Sequence, residues 1–154
     1  MIAEFNALSN EEIETMLAVP ILVTILIAGA DGQIDKSEVN EAISIAKLKQ
    51  KKARVGLIDY YGEVGTDFED KLKVMIQHFP VKAEERNPLI IDELTKLNTI
   101  LPKLDNNFAI EFYASIKDLA KKIAESSGGI LGYMAVGYEE SKLIELKMIN
   151  NPSK

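Results

Sequence analysis

The chain has 154 residues and no cysteine, so it is long enough for one hydrophobic core without staples, and disulfides, thiolate metal sites and thiol catalysis are excluded. A formal net charge of −6 makes it a poor match for a nucleic acid polyanion. These features predict a single cytoplasmic domain over residues 1–154 with no nucleic acid partner.

At the start of the chain, Ser9 and Glu12 have the spacing of a capping box that opens a first short helix. Pro20 either kinks that helix or opens a second one at its first position. The uncharged run from Met16 to Ala30 is shorter than the roughly twenty residues that cross a bilayer. It reads as a buried core helix, with Leu17 to Ile27 among the most buried residues. The residues before it carry Glu4, Glu11, Glu12 and Glu14 but no Lys or Arg, unlike an export signal. Neither export nor a transmembrane span is expected.

Asp35 and Glu38 open the next helix, with Val39, Ala42, Ile43 and Ala46 on one face. Its far end carries Lys47, Lys49, Lys51, Lys52 and Arg54, cations that suit the negative pole of a helix and read as a solvated end. From Arg54 to Gly65, three glycines predict a short helix plus loop. Thr66 with Glu69 resembles another capping box, and Phe68, Leu72, Met75 and Phe79 recur at helical period until Pro80. His78 is then a helix-end residue.

A helix from Glu85 to Leu101 is expected with Pro88 in its first turn, and Pro102 stops it. The next begins at Asp105 or Asn106 and ends at Ser126-Ser127-Gly128-Gly129; a last one runs from Tyr138 to Asn150. No run of period-two alternation is bounded by hairpin turns. The prediction is an all-α, compact single-domain bundle of about seven to eight helices.

The sharpest chemical signal is Ala28-Gly29-Ala30-Asp31-Gly32-Gln33-Ile34-Asp35-Lys36-Ser37-Glu38, where an apolar run ends in a glycine turn with three carboxylates. Two of them have a local explanation, Asp35 as an N-cap and Glu38 as the far member of its capping box, with Gly32 as a left-handed terminator. Asp31 has less of one, because a carboxylate at a helix C-terminus faces the negative pole at a cost of about 0.3–1 kcal/mol. It either caps amides of its own turn or shares a cation with Asp35, Glu38 and loop carbonyls. Carboxylates without His or Cys suit a hard ion such as calcium or magnesium. Half an EF-hand loop is imitated, but Ile27 and Gly29 stand where its first two ligands belong, which argues against a true EF-hand.

The pattern from Ala28 to Glu38, together with Ala124-x-x-Ser127-Gly128-Gly129-Ile130-Leu131-Gly132 followed by Val136 and Glu140, resembles the opening and closing motifs of bacterial tellurite-resistance TerB-like domains. The two motifs span about Ile13 to Ile149, and the middle is similar only in being helical. The resemblance implies an all-helical fold in two quasi-repeated halves, a stress-linked bacterial context and a divalent-cation site. That site would use Asp31, Asp35, Glu38 and Glu140. This chain departs from the family in offering Ser127 or Gly128 in the second turn and Gly137 opposite Asp35, so the implied site is half-formed or absent.

Other constellations fail on spacing. Gly132 and Gly137 are followed by Tyr138 and Glu139 rather than the Lys and Ser or Thr of a phosphate loop. His78 is the only histidine, Ser126 and Ser127 lack a nucleophile elbow, and the adjacent pairs Glu84–Glu85 and Glu139–Glu140 point apart on a helix. Tyr60, Tyr61 and Tyr113 read as core, while Tyr133 and Met134 are the better candidates for partner contact. The expected function is a non-enzymatic binding or interaction module for a protein partner, responsive to a divalent cation. The alternatives are a purely structural protein-interaction domain with no ligand, and an enzyme with an unrecognised site.

Overall fold

The computed structural model describes residues 2–30, 34, 36–52, 55–126 and 143–153. Among the described residues there is no strand, and the helices are α1 (Asn10–Ala28), α2 (Lys36–Lys52), α3 (Val55–Gly65), α4 (Phe68–His78), α5 (Ala83–Thr95), the single turn α6 (Leu97–Ile100) and α7 (Asn106–Ser126). Short 3-10 turns at Ala3–Phe5 and Leu101–Lys103 complete the elements.

All six other helices pack against α1. That position explains why its second half is apolar on every side: Val19 to Ala28 are all buried, with Thr24 tolerated because its hydroxyl donates to the Pro20 carbonyl at 2.7 Å. No described helix is long and apolar enough to cross a membrane.

The Ser9–Glu12 capping box is present in both directions, at 2.9 and 3.1 Å, but it opens a helix of nineteen residues rather than a short one. Pro20 does not divide that helix. Proline has no N–H, so the Met16 carbonyl one turn earlier loses its helical donor. The buried Tyr60 hydroxyl donates to that carbonyl at 2.6 Å. Tyr60 in turn meets Phe5 and Phe112 edge to face, at centroid distances of 6.2 and 5.3 Å, which ties the N-terminal turn, α3 and α7 to the middle of α1.

Elsewhere the structure corrects local expectations. The stretch after Arg54 is not helix plus loop, since α3 is continuous over Val55–Gly65 and buries Leu57, Tyr60, Tyr61 and Val64. Thr66 and Glu69 do not make a capping box. Thr66 donates back to the Gly62 carbonyl at 3.0 Å, finishing α3, and α4 starts from Asp67 without a side-chain cap. The helix expected to reach Leu101 breaks at Lys96, between α5 and α6.

At the start of α7, Asp105 accepts from the Phe108 amide at 3.1 Å, as an N-cap does. The expected last helix does not extend to Asn150, because residues 144–150 are turns and bends. Leu146, at φ 49°, is held in the left-handed region by its full burial, and Asn98 clamps the segment through the Met148 carbonyl (2.9 Å) and the Asn150 amide (2.7 Å).

Candidate functional site

Of the four acids expected to share a cation, Glu38 is described, while Asp31, Asp35 and Glu140 lie outside the described residues, as do Tyr133, Met134 and the second motif. Glu38 stands in the first turn of α2 and is only 1% exposed. Burying a carboxylate carries a desolvation cost that its partners in the fold must offset. No group of three or more potential metal ligands occurs among the described residues.

The residue that sequence reasoning missed at this turn is Arg86. It comes from α5, is 2% exposed, and donates to the Gly29 carbonyl at 2.6 Å and to the Val81 carbonyl at 2.8 Å. Its positive charge therefore sits at the C-terminal pole of α1, where carbonyls lack helical donors and a cation is favoured. Burial pulls its pKa down from the ordinary value, though a guanidinium stays charged in proteins.

Gly29 caps α1 at φ −109°, so glycine is not used there for a left-handed turn. A Cβ would overlap the guanidinium of Arg86, so the missing side chain makes room for the cation. A weak signal was available: only two of the 18 basic residues, Arg54 and Arg86, are arginine, and a forked planar cation is what buried carbonyls select.

The second polar cluster lies in a groove of about 830 Å³ between α2 and α7, floored by Ile45, Leu57 and Ile110 and flanked by Leu48, which is 52% exposed. Lys49 does not belong to a solvated helix end as its neighbours Lys47 and Lys51 do. Its side chain is 16% exposed, and its amine donates to Ser115 Oγ at 3.0 Å, pairs with Asp118 at 3.4 Å and lies 5.4 Å from the Tyr61 ring centroid. Ser115 and Tyr61 hydroxyls are 2.5 Å apart.

Burial lowers the Lys49 pKa, partly offset by Asp118. For Asp118, burial pulls upward, but the hydrogen bond from Lys122 and the charges of Lys49 and Lys122 leave it net below the ordinary carboxylate value. Burial drives Tyr61 well upward, so it stays a neutral phenol. The cluster fastens α2 and α3 to α7 by satisfying its own members. Its one chemical suggestion is the Ser115–Lys49 hydrogen bond, the relation of a nucleophile to its base.

As sequence reasoning expected, Tyr60 and Tyr61 are core residues, and His78 ends α4 on the surface. No family model, curated protein or solved structure matches this chain.

Proposed function

We propose that this chain is a non-enzymatic TerB-like binding and interaction module in a bacterial stress context, with the acidic turn between α1 and α2 as an element responsive to calcium or magnesium. The observation that carries the reading is the burial of Glu38 in the first turn of α2, directly after that turn in sequence. A buried carboxylate at the root of an acidic turn has the chemistry of an inner ligand for a hard cation. The all-helical fold and the residues of the opening motif support the same reading.

The test is thermal unfolding of wild type and Glu38→Gln with calcium, with magnesium and with chelator. A ligand held only by the folded state raises the midpoint, by about 2.7 kcal/mol of stability at a hundredfold excess over Kd. The wild-type midpoint is expected to rise with one of the two ions and the variant's to stay put. A wild-type midpoint indifferent to all three additions removes the cation from the function and leaves a module that binds through its surfaces alone.

An enzyme is the second reading, favoured by Ser115 Oγ lying 3.0 Å from Lys49 Nζ in the α2–α7 groove. Three features weigh against it. Asp118 favours the protonated amine, which cannot act as a base. Ser115 lies inside α7, so its own amide belongs to the helical ladder and not to an oxyanion hole. Tyr61 already engages the hydroxyl. A burst of nitrophenolate from p-nitrophenyl acetate that disappears in Ser115→Ala would establish the enzyme; no burst is expected.

A further inference from the structure

A second groove, of about 580 Å³, runs between α1 and α4. Its floor is the buried Ile21, its walls are Leu17, Ala18 and Met75, and Val74 stands on its edge 65% exposed. A single exposed valine is ordinary, but one continuous with a groove of half-buried apolar side chains is a contact surface in waiting.

Charge separates this groove from the one between α2 and α7. There, both lining cations, Lys49 and Lys122, pair with the lining acid Asp118, while Glu41 and Glu111 also line the groove. Here, Glu14 and Asp70 stand on the rim with no ion-pair partner among the described residues. Asp67 is held only by Lys71, one helical turn away at 3.5 Å with both side chains half exposed, an arrangement worth little. Lys71 is the one cation among the described lining residues.

An apolar trough with an uncompensated acidic rim, on a chain of net charge −6, selects among occupants. Nucleic acid and an anionic lipid surface are repelled. A second copy docking through the same face would set one acidic rim against another, because an isologous contact uses the same patch on both copies. What fits is an amphipathic helix that lays an apolar stripe in the trough and carries Lys or Arg along its flanks.

We infer that the α1–α4 groove is the docking site for a basic amphipathic helix of a protein partner. The inference rests on the interaction-module reading and names the partner's chemistry. Apolar side chains at helical spacing would cover Leu17, Ala18, Val74 and Met75, and flanking cations would meet Glu14 and Asp70. Steering by the acidic rim makes the association depend on salt.

The experiment uses the whole chain and a fluorescein-labelled amphipathic Leu/Lys helix of about 14 residues, roughly four turns, as the probe. A Leu/Glu helix of the same pattern serves as control. Anisotropy titrations at low and high salt give affinity, and NMR shift mapping gives location. The expected result is saturable binding of the Leu/Lys helix only, weakened by salt, with shifts at Leu17, Val74 and Met75. Val74→Lys, exposed and therefore compatible with the fold, should weaken binding roughly tenfold through repulsion and lost contact. The double variant Glu14→Gln, Asp70→Asn should flatten the salt dependence, and Leu48→Lys, in the other groove, should change nothing. Binding that ignores Val74→Lys, or shifts centred on Leu48 and Ile110, overturns this inference and leaves the module reading intact. No saturable binding of either peptide overturns it as well.

Discussion

Two carbonyls left open by the ladder of α1, one in its middle and one at its C-cap, are closed in different ways. In the middle, Pro20 strands the Met16 carbonyl, and a neutral phenol, Tyr60, donates to it from α3. At the end, the Gly29 carbonyl is taken by a charged guanidinium, Arg86, from α5. Both bonds are 2.6 Å and both donors are buried. The middle needs only a hydrogen, whereas the end needs a hydrogen and a positive charge, because carbonyl dipoles accumulate at a helix C-terminus. The same end leads in sequence into the acidic turn.

The largest expected effect comes from the charged closure. Arg86→Met keeps much of the apolar stem but strands the buried Gly29 carbonyl, at about 1–3 kcal/mol, and removes a cation from the C-terminus of α1, so a loss of roughly 2–3 kcal/mol is expected in denaturant unfolding. A loss under about 0.5 kcal/mol would mean that the guanidinium is incidental.

Next comes alkaline pH. Tyr60 and Tyr61 have folded pKa values raised by burial above about 10, so above that pH the unfolded chain has lost protons that the folded chain keeps. Stability must then fall as pH rises, by up to about 1.4 kcal/mol per unit for each tyrosine. Lys49 opposes this below about pH 10.5, since its folded value is lowered and its proton leaves the folded chain first. A pH series should show the net fall, and Tyr61→Phe should lessen it.

The neutral closure gives a smaller effect with a sharper diagnosis. Tyr60→Phe should cost about 1–2 kcal/mol in wild type, and less once Pro20→Ala restores a backbone donor to Met16. A double-mutant cycle with no coupling would contradict the role given to Tyr60. Smallest is the exposed N-terminal end, where Ser9→Ala should cost about 1 kcal/mol. Lys103→Ala, which breaks a 2.7 Å contact with Glu12, should leave the Glu12 carboxyl less depressed and titrating at higher pH by NMR.

These differences explain what could be read from the chain. The helical period and the Ser9–Glu12 box follow from contacts a few residues apart, and the burial of α1 from its long uncharged run. So did the problem Pro20 creates, although not its solution, since Tyr60 is 44 positions away. Arg86 was passed over because it sits among charged residues in an ordinary helix start, and nothing local says it reaches Gly29. Lys49 was read with its lysine neighbours because side-chain orientation on a helix is decided by the helix packed against it. Thr66 misled because a hydroxyl before a helix can also finish the one that precedes it, as here with Gly62. Of the four acids proposed from sequence, Glu38 lies among the described residues, and it is buried.

The central functional proposal is that the acidic turn after α1, with Glu38 as its buried and described carboxylate, takes up a divalent cation. Calorimetric titration of calcium and of magnesium into wild type and Glu38→Gln tests it most directly. The account predicts saturable heat with at least one ion in wild type and its loss in the variant; no heat with either ion, or the same isotherm in both proteins, would contradict it.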